Sequence, residues 1–167
     1  VNSLSLFNGC IGVTIHHTGQ PSLANRPDGL LPQHIANIKD YYETKVDGAP
    51  WQAGPHFFVD DLASPVIAFS PLSKRGVHAR GFNQHYVGIE MLGNYDIESP
   101  THHRALKIIN STAQLTAIIL KRIGVRPSFE EKSLTFHRHS HINPSGKTCP
   151  GTKIKEADFL KLVLANY

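Results

Sequence analysis

Cysteine and charge are both scarce in this chain. It holds two Cys in 167 residues, Cys10 and Cys149, which excludes a disulfide framework and leaves the core to stand on packing alone. No apolar run approaches the roughly 18 residues that a membrane span requires. The stretch from Val1 to Asn8 lacks a basic region followed by an apolar block, so it does not read as a leader. Only 18% of residues are charged, with 17 Lys and Arg against 13 Asp and Glu for a net charge of +4. The basic residues are scattered without interleaved aromatics, so no nucleic-acid partner is expected, although the mild positive balance suits some anionic polymer. With 40% apolar residues the composition is that of a globular chain, and the length is about that of one domain.

Histidine is what the chain has in plenty. Eleven copies stand at positions 16, 17, 34, 56, 78, 85, 102, 103, 137, 139 and 141, enough to make a metal site worth seeking. The periodicity of the sequence supplies a frame for them. Residues 10–16 alternate with β-branched side chains and read as a buried strand that delivers His16 and His17 at its end. Pro32 suits a first helical position, and Ile35, Ile38 and Tyr42 share one face of a helix running to about Thr44. Strands follow at 57–59, 66–69 and 87–92. Ser99-Pro100 reads as the start of a long helix whose apolar face is Leu106, Ile109, Ala113, Ala117, Leu120 and Ile123, ending at Gly124. A late strand at 133–137 and an amphipathic helix at 156–164 complete an α/β class with a central mixed sheet flanked by helices.

A strand-end His, a late His cluster and a following Cys are the ingredients of a three-ligand zinc site. Three protein ligands leave one tetrahedral position open to water, the coordination of a catalytic centre rather than a structural one. If the late strand continues past residue 137, His137, His139 and His141 share a face, so spacing leaves the choice among them open. Surface histidines beside a buried Cys would give the same pattern.

Five segments carry a resemblance. Ile15-His16-His17-Thr18, Pro55-His56-Phe57-Phe58-Val59-Asp60, Gly76-Val77-His78-Ala79 with Asn83, Val87-Gly88-Ile89-Glu90-Met91-Leu92-Gly93, and Lys147-Thr148-Cys149-Pro150-Gly151 occur in the order of one family. The chain resembles zinc-dependent N-acetylmuramoyl-L-alanine amidases of the type-2 amidase and peptidoglycan-recognition-protein superfamily. The resemblance covers about residues 10–165. It implies a single catalytic domain over 1–167 without a separate wall-binding domain, one Zn2+ per chain, and hydrolysis of the amide between N-acetylmuramic acid and L-alanine of the stem peptide. It also implies a peptidoglycan or muropeptide partner, met in the cell wall, the periplasm or outside the cell, with cytoplasmic recycling of muropeptides as the alternative setting.

Residue by residue, the resemblance implies His16 and Cys149 as zinc ligands and leaves His17 out. Strand register favours His137 as the middle ligand. Loop register, counted back from Cys149, favours His139, and His141 is the third candidate. Glu90, an acidic residue in an apolar strand, is similar to a family base that takes a proton from water. A Tyr used by another branch is replaced here by Pro55. Lys147 corresponds to a lysine that stabilises the developing oxyanion, and His78 and Asn83 fall in the segment that lines the muropeptide groove. His56 reads as a core or supporting histidine, and His34, His85, His102 and His103 as solvent-facing. Two other readings stay open. A cysteine peptidase would use Cys149 as nucleophile, and a recognition module would bind peptidoglycan without cutting it.

Overall fold

A computed structural model describes residues 6–44, 53–143 and 145–167. Of the N-terminal stretch considered above, residues 1–5 lie outside the described ones. The sheet is built from β1 (Gly12–His17), β2 (Phe57–Val59), β3 (Val66–Ala68), β4 (Tyr86–Met91) and β5 (Leu134–Phe136), with α1 (Pro32–Thr44), α2 (His103–Ile123) and α3 (Glu156–Asn166) around it. Strand order is β3-β2-β4-β1-β5. All neighbours run parallel except the β2-β3 pair, so the sheet is mixed, as the intermixed strand and helix patterns predict.

Alternation along the strands gives the sheet two unlike faces. Val13, Ile15, Val87, Ile89, Met91, Leu134 and Phe136 point to one side and are fully buried. This face packs under α2, and α3 packs against α2 in turn, with Phe136 and Phe159 in edge contact at 5.8 Å. Gly12, Thr14, His16, Gly88, Glu90, Phe58 and Thr135 share the opposite face, because the register pairs Thr14 with Gly88 and Thr135, and Glu90 with His16 and Phe58. The second face is small and polar at its centre. Buried Thr14 and Thr135 satisfy each other through a 2.9 Å hydroxyl hydrogen bond, so the polar atoms there cost little.

Two details of the helices differ from the expected pattern. Residues 99–102 form a turn, with the His102 N–H donating to Ser99 O, and α2 begins only at His103. Pro100 therefore sits in the turn ahead of the helix. The buried stripe of α2 runs through Ala105, Ile108, Thr112, Thr116 and Ala117, which leaves Leu106 44% exposed. The stripe is wider than an apolar count suggests, since Thr112 and Thr116 bury their hydroxyls by donating to the carbonyls of Ile108 and Thr112. Gly124 ends α2 at φ 73°, a left-handed cap that closes two hydrogen bonds onto the last turn. α1 starts at Pro32 as expected but has no fully buried residue: Ile35, Ile38 and Tyr42 are half-buried along the edge of the polar face.

Candidate metal centre and catalytic cleft

The parallel strands β1 and β5 end side by side, and both deliver a histidine to the polar face. His16 and His137 have ring centroids 4.8 Å apart. Cys149 enters from the loop after β5, with Sγ 3.7 Å from His16 Nδ1 and accepting the His17 N–H at 3.4 Å. One donor atom from each of His16, His137 and Cys149 lies within 4.8 Å of the other two. Both cysteines are free, Cys149 buried and Cys10 half-buried.

The structure separates the three late histidines by breaking the strand. β5 ends at Phe136 and residues 137–139 form a 3-10 turn, so the alternation that would have put His137, His139 and His141 on one face stops at the first of them. His139 turns back onto Phe136, stacked at 5.4 Å, where its Nδ1 accepts the Phe136 N–H at 3.2 Å and its Nε2 meets Glu156 Oε1 at 2.8 Å. His141 is exposed and lies beside Gly81. His17 lines the same cavity but stands outside the donor cluster, its Nδ1 accepting the Tyr95 N–H at 3.1 Å. His56 is fully buried, joining β4 to the loop before it through Gly88 N–H and Lys74 O.

The donor set suits a borderline-soft divalent ion. Two imidazole nitrogens and one sulfur match the ligand chemistry of zinc. Burial keeps both imidazoles neutral and available as lone-pair donors, with His16 pushed well down and His137 down to about 4, the latter aided by the charge of Lys147. Burial likewise pushes the Cys149 thiol up to about 12, so a cation must displace its proton to bind.

A cavity of about 380 Å³ opens over these atoms, walled by His16, His137, Cys149, Glu90, Lys147 and Tyr42. It continues into a cleft of about 520 Å³ lined by His78, Arg80, Asn83, Asn143 and Lys147 among others, and into a groove of about 310 Å³ between α1 and the strand ends, lined by Arg26, Leu30, Tyr41, Phe58 and Glu90. Glu90 is shared by the cavity and the groove, and burial pushes its carboxyl up to about 7. Lys147 is exposed at the rim. His78 and Asn83 line the cleft, yet both ring nitrogens of His78 and the side-chain oxygen of Asn83 are engaged within the protein. His78 bonds His16 and Tyr86 O, and Asn83 Oδ1 accepts the N–H groups of His78 and Ala79.

A family model described as N-acetylmuramoyl-L-alanine amidase matches residues 10–152. The chain belongs to this amidase family. A curated relative, peptidoglycan-recognition protein 2 of Holotrichia diomphalia, is 29% identical over 53% of the chain, and the match spans 45% of that relative's length. Among solved structures, the N-acetylmuramoyl-L-alanine amidase LysC from Clostridium intestinale has a TM-score of 0.66 at 19% identity, covering 99% of this chain and 90% of its own. A Drosophila PGRP-LB mutant in complex with tracheal cytotoxin gives 0.63 at 19% identity, covering 90% and 80%. These likenesses show a shared amidase fold.

Several residues that shape this amidase site carried little signal in the sequence. Arg138 pins the Cys149 loop, its guanidinium donating to Gly151 O and Ile154 O at 2.9 Å while its N–H donates to Cys149 O at 2.9 Å. Asp96 holds the same loop from the other side through Thr148 Oγ1 at 2.7 Å and Thr152 N–H at 2.8 Å. Asn143 clasps the backbone of Lys147 in both directions. Tyr42, read from its spacing as a packing residue of α1, instead walls the cavity beside Glu90. The His-Arg pair at 137–138 was the available clue for Arg138; the other three are ordinary polar or aromatic residues, and Asp96 meets its partners more than 50 residues along the chain.

Proposed function

We propose that this domain is a zinc-dependent amidase that hydrolyses the amide between the lactyl group of N-acetylmuramic acid and L-alanine of the peptidoglycan stem peptide. The carrying observation is the convergence of His16, His137 and Cys149 within 4.8 Å, in one cavity with Glu90 and Lys147, in a chain of the amidase family. One zinc per chain, bound by those three side chains, would supply Lewis acidity towards the scissile carbonyl and lower the pKa of water.

The protein's own groups account for the remaining steps. Glu90 accepts a proton from the attacking water and returns it to the leaving amine, a task suited to a carboxyl whose pKa of about 7 lies near neutral pH. Lys147 presents an ammonium from the rim to the carbonyl oxygen as negative charge develops there. Cys149 serves as ligand and not as nucleophile, consistent with a buried thiol whose proton is hard to remove without a cation. His78 and Asn83 form the floor of the cleft that receives the muropeptide. The whole chain acts as one catalytic domain, and the amidase family to which it belongs supports action at the cell wall. The tracheal cytotoxin held by the PGRP-LB relative supports a muropeptide ligand for this fold.

Incubation of the zinc-loaded chain with purified sacculi, in parallel with soluble anhydromuropeptides, tests the reading by mass spectrometry. Free stem peptides with an N-terminal L-alanine are expected, lost with chelator and restored by zinc. A folded, zinc-loaded chain that binds muropeptide but releases no such peptide from either substrate sinks the enzyme reading in favour of recognition alone.

A further inference from the structure

His78 faces the metal site but does not belong to the ligand set. Its Nδ1 lies 3.0 Å from Nε2 of His16, and its Nε2 lies 3.1 Å from the carbonyl oxygen of Tyr86. The geometry of these two bonds fixes where the protons are. A carbonyl oxygen only accepts, so His78 Nε2 carries a hydrogen, and a neutral imidazole has only one. His78 Nδ1 is therefore an acceptor. The hydrogen between the two rings then sits on His16 Nε2, which leaves a lone pair on His16 Nδ1, the nitrogen 3.7 Å from Cys149 Sγ.

The surrounding residues hold the ring in this pose. Asn83 Oδ1 accepts both the His78 and Ala79 N–H groups at 2.8 Å, locking the backbone. Gly88 supplies the floor on β4, since a Cβ there would fall 2.5 Å from His78 Cγ. His56 in turn secures Gly88 by accepting its N–H at 3.0 Å. The segment Gly76-Val77-His78-Ala79 with Asn83 and the glycine of β4 thus form one device.

We propose that His78 is a positioning residue that sets the tautomer of His16, so that His16 offers Nδ1 to the metal with its ring orientation fixed by a relay from the Tyr86 carbonyl. With both ring nitrogens engaged inside the protein, His78 has none left for substrate. Outer partners of this kind typically contribute about 10- to 100-fold to metal affinity. The inference rests on the zinc reading above, and the two are judged by separate measurements.

Long-range 1H–15N correlation spectra of the metal-free, 15N-labelled full chain report the tautomer directly. A proton on His16 Nε2 is expected; a proton on Nδ1 overturns the inference whether or not zinc binds. Zinc affinity, measured by competition with a chromophoric chelator, supplies the second arm. His78→Leu is expected to weaken zinc about 10- to 100-fold, and His78→Asn, whose amide oxygen can still accept from His16, to recover most of that loss. Wild-type affinity in folded H78L, or H78N no tighter than H78L, overturns it. Failure of the unaltered chain to take zinc would instead remove the metal reading and leave the tautomer measurement standing.

Discussion

Glu90 illustrates how a single residue can be conspicuous and still ambiguous. A carboxylate among Val, Ile and Met on β4 has two ordinary explanations, an ion pair at a sheet edge or a chemical task. In the structure β4 is flanked by β1 and β2, and among the described residues Glu90 makes no ion pair. Glu90→Gln keeps the shape and removes the basicity, so turnover on soluble muropeptide should fall about 10²- to 10⁴-fold with zinc stoichiometry unchanged. Lys147→Met should lower turnover about 10²- to 10³-fold, again with zinc retained. Steady-state rates beside elemental analysis of the same preparations decide both; near-wild-type rates in either variant would remove that residue from the chemistry. The late histidines show the limit of legibility at this scale. His137 and His139 differ in surroundings because the chain leaves extended geometry at Phe136 and turns through both, a turn fixed by contacts to Phe136 and Glu156 that neither spacing nor composition encodes.

At the scale of elements, helices and strands were readable wherever period and punctuation agreed. Pro32 opens α1 and Gly124 closes α2 because each backbone restriction acts locally. The start of α2 was not readable in the same way. His103 begins the helix where Arg104 is drawn down to form a paired hydrogen bond with Asp61, at 2.6 and 2.8 Å, and to donate to Leu23 O and Arg26 O. This one guanidinium ties α2 to the β2-β3 turn and to the loop after β1. Arg104→Met should cost about 2 kcal/mol or more in urea denaturation, given the usual worth of charge-assisted hydrogen bonds. The pair also gives a pH signature. Arg104 holds the Asp61 carboxyl below its ordinary value of 3.8, so the folded pKa lies below the unfolded one. The stabilisation is then complete above the ordinary value and disappears as pH falls through the depressed one. Asp61→Asn should narrow its stability gap from wild type as pH is lowered from about 5 towards 2; a gap independent of pH would assign Asp61 no electrostatic role.

For the whole molecule, the proposed metal site is where distant parts of the chain meet. His16 comes from the interior strand β1, His137 from the turn after the edge strand β5, and Cys149 from a loop held by Arg138 and Asp96. The order of the motifs along the sequence was enough to reveal the fold and to single out His16 and Cys149, two of the three side chains that converge in the cavity. The loop that presents Cys149 was opaque, because its order comes from tertiary hydrogen bonds and not from any local pattern. Zinc that binds these three groups together only in the folded state must raise stability by mass action, about 2.7 kcal/mol at free zinc 100-fold above its Kd. For a domain of this size that corresponds to a rise in Tm of about 5 to 10 °C. Differential scanning calorimetry with buffered zinc should show this rise in the wild-type chain. His137→Ala should lose most of it, whereas His139→Ala should keep it, because the His139 ring nitrogens are engaged by Phe136 N–H and Glu156 and not by the cavity. The reverse pattern, with the zinc-dependent rise lost in H139A and kept in H137A, would move the middle ligand to the other side of the 3-10 turn and require the Cys149 loop to rearrange when metal binds.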